Sequence, residues 1–448
     1  MHKYSQLIHD IELRIGRGEL KDGQKLPAIR ELAEQYGCSK STVISAYAEL
    51  ERKHIIYAIP KSGYYVVKQD RHADDKGTEA MLDFASVAPD PNVFPYIDFQ
   101  HCINKAIDMY KDDLFQYGTP RGLPSLIRML PKHLADYQVF PGTNRICITS
   151  GVQQALAILA SMPFPNGRSA VLVEQPGYHL LNQLLTTYEI PAVGIRRTSR
   201  GIDLAELERL FQSGTIKLFY TVPRFHNPLG TSYSAYEKKT IAALAEAYDV
   251  FIVEDDYLAD LEDDSKADPI YAYDRSAHVI YLKSYSKILF PGLRVGVAVI
   301  PAILEETFNK HKKLLDIDSS MLSQAALEIY LKSGMFDRHK ERIKSTYKER
   351  VLTLNEALHL HASADTMEFA PVTTGAHTHI VLKSPIAMST LKERLRKQRI
   401  RIESIDGYYL DGVPAESLIR LNISNVNKED IEQGVRTILN EIRRLMNR

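Results

Sequence analysis

At 448 residues the chain exceeds one ordinary hydrophobic core and points to about two to three domains. Hydrophobic residues make up 44% and charged residues 25%, a soluble globular composition that excludes a disordered or membrane-embedded chain. The 56 lysines and arginines balance 56 aspartates and glutamates, so any affinity for nucleic acid has to come from a local patch and not from bulk charge.

The chain opens Met1-His-Lys-Tyr-Ser-Gln6 and runs straight into an amphipathic pattern, without the apolar stretch of a signal peptide. Cys38, Cys102 and Cys147 lie far apart with no metal-ligand spacing. Free thiols, a cytoplasmic location, no metal and no membrane association are the expectations. Leu7, Ile8, Ile11 and Ile15 recur at helical spacing and stop in a Gly-containing turn ending at Gly23. A second helix follows Leu26-Pro27 and stops at Gly37. Ser39 then caps a third, with Val43, Ala46, Tyr47 and Leu50 facing inward and Lys40, Ser41, Thr42 and Ser45 near its exposed start. Ile55–Ile59 and Tyr64–Val67 predict two short strands around Pro60-Lys-Ser-Gly63, a wing.

This pattern, Leu26-Pro-x-x-Arg30-x-Leu-Ala33 followed by Gly37-x-Ser39-x-x-Thr42-Val-x-x-Ala46-Tyr47, resembles the winged helix-turn-helix of GntR-type regulators over residues 1–67. The resemblance implies that the third helix enters the major groove of double-stranded operator DNA, making Lys40, Ser41 and Thr42 candidate base readers. Arg30 and wing residue Lys61 become candidate phosphate contacts, and Gly63 lets the wing approach closely. Residues 1–68 carry 11 Lys and Arg against 8 Asp and Glu, a modest net +3 that a dimer would double.

Residues 68–80 hold seven charged side chains and no large apolar one, which is linker composition. Fully extended they reach about 45 Å, enough for the head to sit beside a partner subunit in a domain-swapped homodimer. From Leu82 on, helices alternate with apolar strands at Ala170–Glu174, Leu218–Val222, Val250–Glu254, Val279–Leu282 and Val295–Ile300. That rhythm predicts an α/β body over 81–448 with a mostly parallel sheet, its large lobe at about 130–320 and a small C-terminal α+β lobe at about 321–448 together with 81–115.

Polar motifs follow these apolar runs, as expected where strand carboxyl ends form one site. Thr149-Ser-Gly151-Val152-Gln153 opens a helix whose amides favour a phosphate, with Gln153 adding a side-chain donor and Val152 offering no hydroxyl. Tyr178, in Glu174-Gln-Pro-Gly-Tyr178, is placed to stack on a flat ring. Glu254-Asp255-Asp256-Tyr257 ends a strand; a buried aspartate there would keep a pyridine nitrogen protonated, with Asp255 preferred and Asp256 left open. Tyr257 and Asn227 would bind the ring's phenolic oxygen. The run Ser284-Tyr-Ser286-Lys287-Ile-Leu-Phe-Pro-Gly-Leu-Arg294 places a lysine among hydroxyls, seven residues before an arginine. Lys287 would form an imine with an aldehyde while Ser284, Ser286 and the Arg294 fork hold a phosphate, which fits pyridoxal 5'-phosphate.

The same run resembles the Ser-x-Ser-Lys-x-x-x-Pro-Gly-x-Arg signature of fold-type-I aminotransferases. That resemblance implies that Tyr117 reaches the phosphate of the other subunit in a dimer, and that Arg420 clamps a carboxylate of an amino-acid-like effector. A GntR-type head joined to an aminotransferase-like body matches the MocR subfamily of bacterial transcriptional regulators. It implies a dimeric regulator sensing an amino acid, an amine or the cofactor itself through Lys287. A working aminotransferase with an appended DNA-binding head, and a repressor using its body only to dimerise, are the competing readings.

Overall fold

The computed structural model describes residues 3–21, 23–52, 55–59, 62–66, 81–264 and 267–446. It comprises two compact units, Met1–Glu79 and Ala80–Arg448. The expected linker at 68–80 and the wing residue Lys61 lie outside the described residues.

The first unit is three helices and a hairpin. Leu7 and Ile11 of Lys3–Gly16, Leu32 of Ile29–Gln35, and Val43, Tyr47 and Leu50 of Lys40–Arg52 are buried against one another. Burying each large apolar side chain contributes about 1.5–3 kcal/mol, so this one cluster accounts for the helix arrangement. Ile56–Ile59 pairs antiparallel with Gly63–Val66, with Ile56 opposite the buried Val66. The wing is fixed to the helices because Leu26 N donates to Tyr64 O at 2.8 Å and Tyr47 OH donates to Pro27 O at 2.8 Å.

The second unit is built on an eight-stranded sheet. Its strands run, in spatial order, Ile146–Thr149, Gly296–Val299, Val279–Ser284, Phe251–Asp255, Ile216–Thr221, Ala170–Gln175, Ala192–Thr198 and Gly201–Ile202. The five from Val279–Ser284 to Ala192–Thr198 are parallel, while Gly296–Val299 runs antiparallel to both its neighbours. Side chains alternate between two faces. Val253, Ile280 and Leu282 join one core with the helix Val152–Ser161, whereas Ile252, Val279 and Tyr281 face cores on the opposite side. Both faces are covered, which is why these strands read as unbroken apolar runs.

A second, antiparallel sheet of Met367–Phe369, His377–Leu382 and Leu418–Asn422 packs with the long helices Met335–His361 and Lys428–Met446. Leu82–Asp83 pairs with Ile400–Arg401 and Phe84 is buried in this lobe. The lobe division differs from the sequence expectation, since helices Tyr96–Tyr110 and Met321–Lys332 share a core with the large sheet through Phe99, Cys102, Ala325 and Leu327. An amphipathic helix declares that it has a buried face, not which sheet covers it.

Candidate functional site

Strand ends of the large sheet converge on a cavity of about 250 Å³, at the small end of the range for ligand sites. Three neighbouring parallel strands deliver Tyr220, Asp255 and Ser284 to its wall. The loop after Ala170–Gln175 adds Tyr178, and the loop after Ile216–Thr221 adds Asn227. Ser286, Lys287 and Arg294 come from the turn between two antiparallel strands, and Val152 and Gln153 from the first turn of a helix. Tyr257 completes the set. Ten residues chosen from sequence spacing thus meet in one place.

At one end of the cavity the groups suit an anion. Gly151 caps the helix Val152–Ser161 with φ +81, and a Cβ there would lie 2.9 Å from Arg294 Nη2. Only glycine tolerates both the left-handed backbone and this approach. Arg294 itself has φ +53 and donates from Nη2 to Ser150 O at 2.8 Å, which holds the guanidinium beside the helix N-terminus. Ser286 N donates to Ser284 Oγ at 3.2 Å, tightening the turn that presents both hydroxyls.

At the other end lies Asp255, whose Oδ2 accepts from Tyr220 OH at 2.9 Å and whose buried Oδ1 has no hydrogen-bond partner. Burial pushes this carboxyl up to about 7, opposed by the Tyr220 hydrogen bond and reinforced by Asp256. Asp256 faces away: Arg224 holds it through Nε at 3.0 Å and through Nη2, and Tyr281 OH donates to it at 2.9 Å. The alternative left open in the sequence is therefore separated by geometry, with Asp255 alone of the two on the cavity wall.

Because the folded-state pKa of Asp255 lies above its ordinary value of 3.8, burying its charge costs nothing below about pH 4 and the full penalty above about 7. Cofactor-free protein is expected to lose on the order of 2–4 kcal/mol more stability than Asp255→Asn across that window as pH rises. Urea midpoints at pH 5 and pH 7.5 check this; parallel curves for the two proteins contradict it.

Lys287 is half-buried, and no carboxylate among the described residues lies within ion-pairing distance of its amine. Burial, with the charge of Arg420, lowers its pKa to about 8, and Asp255 acts against both. Lys283, four residues earlier, is a structural counterpart: fully buried, it donates to Asp260 Oδ2 at 2.8 Å and sits over the Tyr137 ring.

Two expected residues are not on the cavity wall. Tyr117 is 83% exposed. Arg420 lies behind Asn227, donating from Nη1 to Asn227 Oδ1 at 2.8 Å and to Tyr408 OH at 2.6 Å. Tyr257 OH donates to Phe225 O at 2.8 Å. Sequence reasoning missed Tyr220 and His179, both on the wall, and Glu403, whose Oε2 lies 2.9 Å from Arg420 Nη2. Tyr220 sits in an apolar strand and reads as core; His179 directly follows Tyr178 and was findable on that ground.

Within the first unit, Lys40 and Ser41 are exposed at the start of their helix, Thr42 is half-buried and Arg30 is exposed on the preceding helix. Ser39 Oγ accepts from Thr42 N at 3.1 Å and lies 2.7 Å from Ser41 Oγ, so the cap also orients the neighbouring hydroxyl. Gly63 has φ +125 beside Lys25. Ile44, 48% exposed and one turn from Lys40 and Ser41, is a further candidate contact that its apolar character concealed. Among the described residues no His, Cys, Asp and Glu cluster could hold a metal, and no helix is long and apolar enough to cross a membrane.

Residues 90–438 match the model of the aminotransferase class I and II family, and residues 3–66 that of the gntR family of bacterial regulatory proteins. The chain is 56% identical over 445 residues to the uncharacterized HTH-type transcriptional regulator YcxD of Bacillus subtilis (strain 168), covering 99% of this chain and 100% of that one. It is 28% identical to aromatic-amino-acid aminotransferase 1 of Thermococcus litoralis, over 82% of this chain and 89% of the relative. The crystal structure of Pyrococcus horikoshii kynurenine aminotransferase in complex with PMP superimposes with a TM-score of 0.75 at 28% identity, covering 82% of this chain and 92% of that one.

Proposed function

The chain belongs to the aminotransferase class I and II family and carries a gntR-type DNA-binding head, and from that premise we propose that it is a pyridoxal 5'-phosphate-dependent transcriptional regulator whose body senses an amino acid or amine. The observation that carries the reading is the pairing, in one cavity, of an amine depressed to about 8 at Lys287 with an unpartnered buried carboxylate oxygen on Asp255. The residues fit the cofactor: Arg294, Ser284, Ser286, Gln153 and the helix N-terminus at Val152 would hold the phosphate, and Tyr178 would cover the ring face. Asp255 would accept the ring N–H, while Tyr257 and Asn227 would bind the phenolic oxygen. Pyridoxal phosphate supplies an aldehyde that combines with primary amines and a ring that withdraws electrons.

The chain's own groups then do the following. Lys287, its pKa lowered to about 8, would offer its amine to the aldehyde, and an effector amine would compete for the same position. Asp255, its charge balanced by a cationic ring N–H, would keep that proton on the ring. Arg420 receives an effector carboxylate. It stands on the small-lobe strand Leu418–Asn422, and the neighbouring strand bears His377 and His379, which bond to His226 O at 3.1 Å and Leu229 O at 2.7 Å in the loop carrying Asn227. Effector exchange at this junction shifts one lobe against the other, and the linker passes the change to the head.

A homodimer with composite sites is part of the reading. Leu314, Leu315 and Ile317 are 79%, 63% and 49% exposed, an apolar strip close in sequence to Asp318, which accepts from Gly118 N at 2.5 Å beside the exposed Tyr117. The test is a titration of purified protein with amines, amino acids and pyridoxal phosphate, following cofactor absorption and operator binding together. Spectral responses without any change in DNA affinity or geometry would sink the coupling. Sustained keto-acid formation at rates typical of enzymes would favour the aminotransferase reading, which the assembled polar set supports, while stoichiometric half-reactions favour a sensor.

For the head, Arg30→Ala is expected to weaken binding equally on specific and random DNA and to lower the salt slope by about 1 per head, as for a lost phosphate contact. A loss confined to one operator sequence, measured by fluorescence anisotropy at several salt concentrations, would assign Arg30 to base reading instead.

A further inference from the structure

Arg420 is 2% exposed, and a buried guanidinium requires a compensating charge. Three of its contacts are neutral: Asn227 Oδ1 and Tyr408 OH on Nη1, and Ala85 O on Nη2 at 2.6 Å. Its one carboxylate contact among the described residues is Glu403, at 2.9 Å on Nη2 only. The buried Nε has no hydrogen-bond partner. An arginine–carboxylate pair is strongest when two N–H groups engage two oxygens, so Glu403 satisfies the charge while leaving half of the better geometry unused.

Glu403 is also placed to leave. Its side chain is 51% exposed, and it borders a surface groove of about 620 Å³ whose other charged lining residues are Lys392, Arg396 and Arg401 against the single acid Glu393. A carboxylate swinging from Arg420 into that groove is rehydrated and meets basic side chains, so its release costs little. Arg420 is not among the residues on the cofactor cavity wall, and its one carboxylate partner among the described residues comes from within the chain.

We propose that Glu403 is a built-in competitor for the carboxylate seat on Arg420 and so sets how strongly the site prefers amino acids over plain amines. The inference rests on the reading of Arg420 as the effector clamp. A carboxylate-bearing effector displaces Glu403 and gains both Nη2 and Nε. An amine without a carboxylate leaves Glu403 where it is and meets a neutralised arginine, so it remains an acceptable ligand. Without the glutamate charge, the site discriminates more sharply in favour of carboxylates.

The experiment uses full-length, cofactor-loaded protein, wild type and E403Q, with matched probes: phenylalanine, 2-phenylethylamine and 3-phenylpropanoate, and leucine, 3-methylbutylamine and 4-methylpentanoate. Cofactor absorption reads the amines and amino acids, and calorimetry reads the carboxylates that lack an amine. E403Q, isosteric and at a half-exposed position, is expected to bind the carboxylates and amino acids about three- to tenfold more tightly, with the plain amines changed less than about twofold. Amines that register normally while E403Q binds carboxylates no better than wild type overturn the role of Glu403 alone. A uniform change across all probes does the same. Absorption that ignores every amine in both proteins overturns the effector reading of the cavity, and this inference with it.

Discussion

Lys287→Ala is expected to abolish borohydride-trapped cofactor mass at position 287, to remove the absorption response to amines, and to weaken cofactor binding on the order of a hundredfold or more. Arg294, Ser284, Tyr178 and Asp255 still line the cavity in the variant, so residual binding is expected to be non-covalent and not absent. The pH dependence follows from the environment of the amine. Burial and the Arg420 charge hold it at about 8 rather than 10.5, so about a tenth is neutral at pH 7, and the attachment rate climbs as pH rises through 8 before levelling off. A rate still rising tenfold per unit above pH 9 would mean an ordinary, solvated lysine. Peptide mapping after trapping, with stopped-flow absorbance across pH 6–10, supplies both readings. Lys283→Ala is the contrasting control: it removes the partner of buried Asp260, so it harms the fold while leaving Lys287 available for trapping.

The largest stability loss is expected for Glu174→Ala, about 3–5 kcal/mol, read as the shift in urea or thermal midpoint. Glu174 is 1% exposed and gathers Arg197 Nη1 at 2.5 Å, Thr221 Oγ1 at 2.6 Å and Tyr233 OH at 2.5 Å on Oε1, with Val222 N at 3.1 Å and His226 Nε2 at 3.2 Å on Oε2. Removing it strands a fully buried guanidinium stacked on Tyr233. Burial works against the carboxylate, but Arg197 and His226 outweigh it and hold the pKa far below the usual range. Since the folded value lies below the unfolded one, the stabilisation is complete above about pH 4.5 and fades as pH falls below it. Glu174→Ala should therefore flatten the acid limb of the stability curve, and an unchanged limb would show that other carboxylates dominate it. The same cluster lies under the loop that carries Asn227. In that loop Gly230 has φ +74 and a Cβ would meet His377 O at 2.4 Å, so Gly230→Ala should damage the junction of the lobes and disturb the loop that carries Asn227.

Much of the site was legible because its chemistry demands unusual residues in a short run. Ser284 ends one strand, and Ser286, Lys287 and Arg294 lie in the turn that joins it to the adjacent strand, so local chain geometry alone keeps them together. Helix starts at Val152 and Lys40 were equally readable, since glycine or serine precedes each and caps are local. Asp255 and Asp256 could not be told apart in the same way. Their strand is apolar on both faces, and only the neighbours Tyr220, Arg224 and Tyr281 reveal which aspartate faces the cavity.

The order of residues by itself determined the two units, the winged head, the parallel α/β body and the set of polar residues that gathers with Lys287 in one cavity. Those features depend on periodicity and on contacts within a few residues, which a linear reading captures. Tertiary structure alone decided the partner of Arg420, the lobe to which Tyr96–Tyr110 and Met321–Lys332 belong, and the buried Glu174 cluster. Each joins residues tens to hundreds of positions apart, and charge pairing and packing at such separations are set by how the sheets and helices meet, which no spacing in the chain encodes.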